Sequence, residues 1–189
     1  VWLLRQSLSE LPVDRLAEYL RSNNYPKNVR GTLRDAVSYL FVELLAHSSF
    51  WSPEESNGVF RLAVGPLLDT DGRDADQRLA DSAAHPLQKI AAILGDLETW
   101  HAGAGEREAE LEARLERLRR LHAALSDSSD RGAIRANLEK RLPRFRPLPW
   151  WAMGMAELSE FREAEDAPDN LIRAREAAQE GLRAYPDSV

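Results

Sequence analysis

The amino-acid sequence predicts an all-α fold made of antiparallel helix hairpins. Apolar side chains recur at steps of three and four residues over most of the chain, as one face of a 3.6-residue helix requires. Nowhere do β-branched residues alternate at every second position, the pattern of a half-buried strand. The breaks between periodic stretches hold prolines, glycines and N-capping side chains, which stop and start helices.

Residues 9–22 open with Ser9, place Pro12 in the first turn and space Leu16, Tyr19 and Leu20 at helical intervals, so a first helix is expected there. Asn23-Asn24-Tyr25-Pro26 is turn chemistry. Thr32 followed by Asp35 reads as a capping box with a short carboxylate, opening a second helix that runs to about His47. Its Leu33, Val37, Leu40, Phe41, Leu44 and Leu45 cover more than one stripe, which predicts packing on most sides and a place at the centre of the domain. Ser52-Pro53-Glu54-Glu55 combines a cap, a proline at the first helical position and a Glu at the third, so a third helix begins there with Phe50 and Trp51 packed beneath it. Residues 69–82 are polar and acidic and form the longest expected loop.

From His85-Pro86, the residues Leu87, Ile90, Ala91, Leu94 and Leu97 make one face of a fourth helix that ends near Trp100 and is closed by Gly103-Ala104-Gly105. Residues 106–125 carry Leu111, Leu115, Leu118, His122 and Leu125 as a coiled-coil-like seam. After a turn at 126–129, a helix over 130–145 presents Ile134, Leu138 and Leu142 back toward that seam until Pro143, Pro147 and Pro149 end it. Those two helices are expected to form one long hairpin. A last pair begins at Pro149-Trp150-Trp151, passes Met155, Leu158 and Phe161, turns at Asp166-Ala167-Pro168-Asp169 and ends at Tyr185-Pro186. The chain thus divides into a helical-hairpin domain, 1–147, and a terminal hairpin, 148–189, packed on it as one continuous unit.

At 189 residues the chain can bury roughly 70% of the surface that its unfolded form exposes. Hydrophobic residues at 43% and charged residues at 30% are a globular balance and not that of a disordered chain. Cysteine is absent, which excludes disulfides, thiolate metal sites and cysteine nucleophiles. A formal charge of -6 and a pI near 5.3 argue against nucleic acid as a partner, because that binding draws on Lys and Arg neutralising phosphates. The longest strongly apolar stretch, 36–46, is interrupted by Glu43 and falls short of the ~20 residues of a spanning helix, so membrane insertion is not expected. Val1 in place of Met, with no basic-then-apolar leader after it, makes the chain read as a segment of a larger parent.

Few residues invite chemistry. His47, His85, His101 and His122 show no close pairing and have no cysteines to join them, and are read as surface or capping residues. Glu43 on the apolar second helix is either a buried carboxylate in need of a partner or the wet edge of that helix. Asp69, Asp71, Asp74 and Asp76 lack the glycine and the bidentate Glu of a calcium loop and read as solvated. Arg131, Arg135, Lys140, Arg141, Arg144 and Arg146, with Arg114, Arg117, Arg119 and Arg120, form a basic run read as a solvated face, with docking of an acidic partner as the alternative. No phosphate loop, nucleophile elbow or paired-carboxylate motif occurs, so no catalytic residue, cofactor or metal ligand is assigned.

Ala174, Ala178 and Gly181 followed by Pro186 have the spacing of small residues on the second helix of a tetratricopeptide repeat, and Trp150, Met153 and Gly154 resemble the start of its first helix. The gap between the two groups is about eight residues longer than the 34-residue repeat, and any tight helix hairpin also wants small residues where backbones approach. The array is therefore either a tetratricopeptide-like right-handed superhelix or an irregular bundle. Residues 174–188, and residues 32–40 with Phe50-Trp51, resemble the helical region that precedes the macroglobulin domains of large bacterial alpha-2-macroglobulin-like proteins. That resemblance implies an accessory scaffold in a periplasmic, envelope or extracellular protein; the family's thioester needs a cysteine, which this chain lacks.

Three functions follow as expectations. The first is a non-enzymatic scaffold that contacts a protein or peptide, with Trp150, Trp151, Arg141 and Arg144 as candidate contacts. At least one tryptophan is expected to be buried at the junction with the last hairpin, and both would serve a partner only if both were exposed. The second is a ligand-binding bundle or helical enzyme centred on Glu43 with Tyr39 or His47 in an apolar pocket. The third is a homodimer paired across the Leu111-Leu115-Leu118 seam.

Overall fold

The computed structural model describes residues 8–19 and 24–188, and among them every regular element is helical. A single antiparallel bridge joins Pro12 to Thr32. Around it, the Val13 N–H donates to the Gly31 carbonyl at 2.9 Å and the Leu33 N–H to the Leu11 carbonyl at 2.8 Å. Those groups are committed across the bridge and cannot start an i to i−4 ladder. The expected first helix is accordingly reduced to a 3-10 turn, Val13–Leu16, and residues 20–22 of that expectation, with Asn23 of the next, lie outside the described residues.

Helix α1, Leu33–Ala46, opens with the capping box read from the sequence: the Asp35 N–H donates to Thr32 Oγ1 and the Thr32 N–H to Asp35 Oδ2. It does not lie at the centre. Tyr39 and Val42 turn inward, whereas Leu40 is 67% and Leu44 54% exposed. The second capping box, Ser52 with Glu55, starts only a six-residue helix, α2 (Pro53–Gly58). Trp51 is half-buried, donates its indole N–H to the Leu45 carbonyl and meets His85 edge-on, but Phe50 stays in solvent and not beneath a helix.

The expected acidic loop is partly helical. Helix α3 (Val64–Asp69) is followed by a turn and by α4 (Ala75–Ala80), which packs on the next long helix, α5 (Pro86–Ala104). Two glycines let that turn lie against α5. Gly72 has a φ of 73°, and a Cβ on Gly95 would stand 2.7 Å from the Thr70 carbonyl oxygen. The sequence holds no apolar period there, because six residues are too few to show one.

Helix α5 extends past Trp100 to Ala104, and α6 (Arg107–Ala124) returns along it after Gly105, whose left-handed backbone ends α5. This α5–α6 pair is the centre of the molecule. The hairpin expected between α6 and α7 (Ser128–Arg141) is a looser contact, with α7 shared among α6, α3 and α8 (Trp151–Glu163). A 3-10 turn at Leu142–Phe145 carries the chain to α8, and α9 (Asn170–Ala184) packs on α8 as the outermost layer. One continuous apolar core runs from Val29 through Leu94, Leu115 and Phe145 to Ala177, so the terminal hairpin shares the core of the rest. Trp150 and Trp151 are 5% and 3% exposed at that junction. On α9 the inward small residues are Ala174, Ala177 and Gly181; Ala178, expected to face inward, points to solvent. A Cβ on Gly181 would lie 2.9 Å from Met155 Cβ, which explains the small residue.

Candidate functional site

Helix α6 carries its charges into the interior. Glu110, Glu112, Arg114, Glu116 and Arg117 are all buried, which is costly unless each finds a partner. Glu98 of α5 supplies one. Its Oε1 accepts from Arg114 Nε at 2.8 Å and Nη2 at 2.6 Å, and its Oε2 accepts from Arg117 Nη2 at 2.6 Å. Arg114 Nη1 also reaches Asn137 Oδ1 and Arg117 Nη1 the Thr70 carbonyl, while Arg117 Nε is buried without a partner among the described residues. Burial pushes the Arg117 guanidinium down to about 10, against the pull of Glu98, so both arginines stay charged at neutral pH. The basic run expected to be a solvated face is therefore, at Arg114 and Arg117, the inner clamp of the bundle.

On another side of α6, Glu112 accepts from Arg30 at 2.6 Å, from Arg119 at 3.1 Å and from the Trp150 indole at 2.9 Å. Arg30 lies over the Tyr25 and Tyr39 rings, 4.0 and 3.6 Å from their centroids, which supports the cation with two aromatic faces. Burial opposes ionisation of Glu116, but Arg30, Arg120 and Arg119 outweigh it and hold the carboxyl below its ordinary range. At Glu157 burial prevails over Arg119 and raises the carboxyl.

A third cluster closes the α5–α6 turn onto α1. His101 is 1% exposed; its Nε2 lies 2.7 Å from Asp35 Oδ1 and its Nδ1 2.7 Å from Glu106 Oε2. Burial alone would lower this imidazole, but the two carboxylates raise it above its ordinary value. The cluster sits at the floor of a cleft of about 480 Å³ lined also by Lys27, Asn28 and Glu108. That arrangement does not suit a general base: an imidazole donating to carboxylates from both nitrogens has no lone pair to accept a proton. Other lining groups are engaged as well, with Thr32 Oγ1 donating to Asp35, Asn28 to Glu108 and Lys27 to Asp14.

Of the four histidines, His47 is exposed and His85 caps α5, His122 is half-buried and stacked 4.4 Å from Phe161, and His101 departs furthest from the surface-or-capping reading. Its burial was visible in the spacing: Leu87, Ile90, Leu94, Leu97 and His101 follow three- and four-residue steps, and the reading stopped the helix near Trp100, short of His101.

The outer face of α1 is the opposite kind of surface. Val37, Leu40, Phe41 and Leu44, with Phe50 beyond the helix end, line an open hollow of about 580 Å³ edged by Glu43 and His47. Glu43 is exposed, and Tyr39 turns inward onto Arg30, so no enclosed pocket forms around Glu43 with Tyr39 or His47. The Leu111-Leu115-Leu118 seam is fully buried within one chain and cannot pair two copies. Of the contacts anticipated for a partner, Trp150 and Trp151 are core residues, Arg141 lies 3.7 Å from Asp69, and Arg144 pairs with Glu110. Among the described residues no group of three or more His, Asp or Glu could hold a metal ion, and no helix is long and apolar enough to cross a membrane.

No protein-family model, curated protein or solved structure matches the chain. The functional reading rests on the geometry.

Proposed function

We propose that this chain is a non-enzymatic helical scaffold, a protein–protein interaction module that binds through the outer face of α1. The observation that carries the reading is the contiguous set Val37, Leu40, Phe41, Leu44 and Phe50, between 38% and 69% exposed, which lines one open hollow. Support also comes from the polar interior, whose carboxylates and guanidiniums bind one another and leave the cleft at His101 with self-paired walls. The resemblance to the region before macroglobulin domains supports a place as an accessory scaffold in a larger envelope or secreted protein.

Photo-crosslinking in the cells that make the protein tests the reading. A photoreactive phenylalanine analogue at position 41 or 50 should give protein adducts, and the same analogue at exposed position 176 on α9 should give none. Equal yields from all three positions, or no adduct from 41 and 50, would refute it.

A further inference from the structure

We infer that the outer face of α1 pairs with the same face of a second copy, antiparallel about a two-fold axis between Leu40 and Phe41. The inference rests on the interaction-module reading above and names its partner. Its first support is symmetry. A two-fold interface brings each residue against one equidistant from the axis on the other side. With the axis between residues 40 and 41, Val37 meets the second copy's Leu44, and Leu40 and Phe41 lie at the centre beside their own copies. The stripe at 37, 40, 41 and 44 has the i, i+3, i+4, i+7 spacing of a helix seam, and no charged residue interrupts it.

Charge gives the second support. The α1 face has one exposed acid, Glu43, near its carboxyl-terminal end. In a parallel pairing the two Glu43 side chains would lie at the same level and repel. In the antiparallel pairing each Glu43 instead comes level with Ser38 of the second copy, and the two carboxylates lie on opposite sides of the axis. Arg34, which the same register sets against His47, is buried on Asp96 and adds no repulsion.

Area gives the third. Leu40 and Leu44 are 67% and 54% exposed and Phe50 69%, and with Val37 and Phe41 they leave roughly 500 Å² of apolar side chain in water, at the upper end for a monomer's largest patch. A symmetric pairing buries that patch twice and, with its polar rim, reaches the roughly 1,200 Å² at which stable interfaces begin. A small peptide lying on the face would cover it only once.

Sedimentation equilibrium on the whole chain tests this. The expected result is reversible dimerisation at micromolar concentration, weakened at least ~100-fold by Leu40→Glu, because the pairing would bury two adjacent carboxylates. Leu40→Lys should be monomeric for the same reason. Mixing the Leu40→Glu and Leu40→Lys chains should restore pairing, since only a two-fold at this point sets position 40 against itself. Circular dichroism melts at low concentration confirm that both variants fold. A parent chain that stays monomeric up to about 500 µM, a dimer that survives Leu40→Glu, or a mixture that stays monomeric overturns the inference. If the parent is monomeric and position 41 still crosslinks to a different protein, the second copy is excluded and the interaction-module reading stands. If crosslinks also fail, both fall.

Discussion

Helices α1 and α6 invert each other. Helix α1 reads Leu-Arg-Asp-Ala-Val-Ser-Tyr-Leu-Phe-Val-Glu-Leu-Leu-Ala, mostly apolar, and keeps Leu40, Phe41 and Leu44 in solvent. Helix α6 alternates Glu and Arg between its leucines, and Glu112, Arg114 and Arg117 are 0–3% exposed. Composition alone would exchange their places. The difference teaches that burial follows from available partners: α6 lies among Glu98, Arg30, Arg144 and Glu157, which neutralise it from several elements, whereas among the described residues α1 packs on α5 and leaves its outer face exposed. A charged helix that is buried marks a specified interior. An apolar helix that is exposed is where the proposed contact is placed.

The largest expected effect breaks the α6 half of that contrast. Glu98→Ala leaves Arg114 and Arg117 buried without their acid, and loss of one partner from a buried ion cluster costs about 3–5 kcal/mol. Denaturant unfolding of the variant checks this; a loss below ~1 kcal/mol would mean that water solvates the two guanidiniums and that α6 is not an enclosed helix. Trp151→Ala should follow at about 3–5 kcal/mol, because the indole fills the junction of the terminal hairpin with the core. In hydrogen exchange the loss of protection should concentrate in α8 and α9. Uniform loss across α5 and α6 would show that the hairpin and the rest unfold together.

The fold was legible where periodicity and caps agree. The Thr32/Asp35 and Ser52/Glu55 boxes, the Pro86 start of α5 and the 87–90–94–97 face all stand where the spacing put them. Two kinds of feature were not legible. Short elements such as α4 and the 3-10 turn at Val13–Leu16 depend on tertiary contacts, the Pro12–Thr32 bridge and the Gly72–Gly95 approach, that no local window contains. Buried charge was missed for a physical reason: the sequence shows Arg114 and Arg117 as cations but not that Glu98, sixteen and nineteen positions away, will face them. The same blindness placed α1 in the middle, since its apolar breadth says how much surface wants cover and not which neighbour supplies it.

A smaller effect, and one with a sign, comes from His101. Its folded-state pKa is raised by Asp35 and Glu106 against burial, so the imidazolium contributes stability that is fully present below the unfolded value near 6.5. That contribution is lost as pH rises from there through the higher folded-state value. His101→Gln removes the charged donor, and hydrogen bonds to charged groups are worth about 1.5–3 kcal/mol. The variant should therefore lie below the parent by about that much at pH 5.5, and the gap should narrow as pH climbs above 7. A gap that widens with pH would mean that the neutral imidazole is the form the fold favours.

The smallest effect expected is the sharpest test of the contrast between the two helices. Leu118 on α6 and Leu40 on α1 are the same residue type on helices of similar regularity, one 0% and the other 67% exposed. Well below the micromolar range in which copies of the chain pair, Leu118→Ala should cost about 2–5 kcal/mol, because it removes transfer energy and leaves a cavity. Leu40→Gln should change stability by no more than ~0.5 kcal/mol, since its side chain stays in water before and after the substitution. Raising the chain concentration should leave the Leu118→Ala difference unchanged and increase the Leu40→Gln difference, because pairing stabilises only the chain whose face is intact. If Leu40→Gln costs more than ~1.5 kcal/mol at that low concentration, the face is already covered within one chain, and the asymmetry between α1 and α6 disappears.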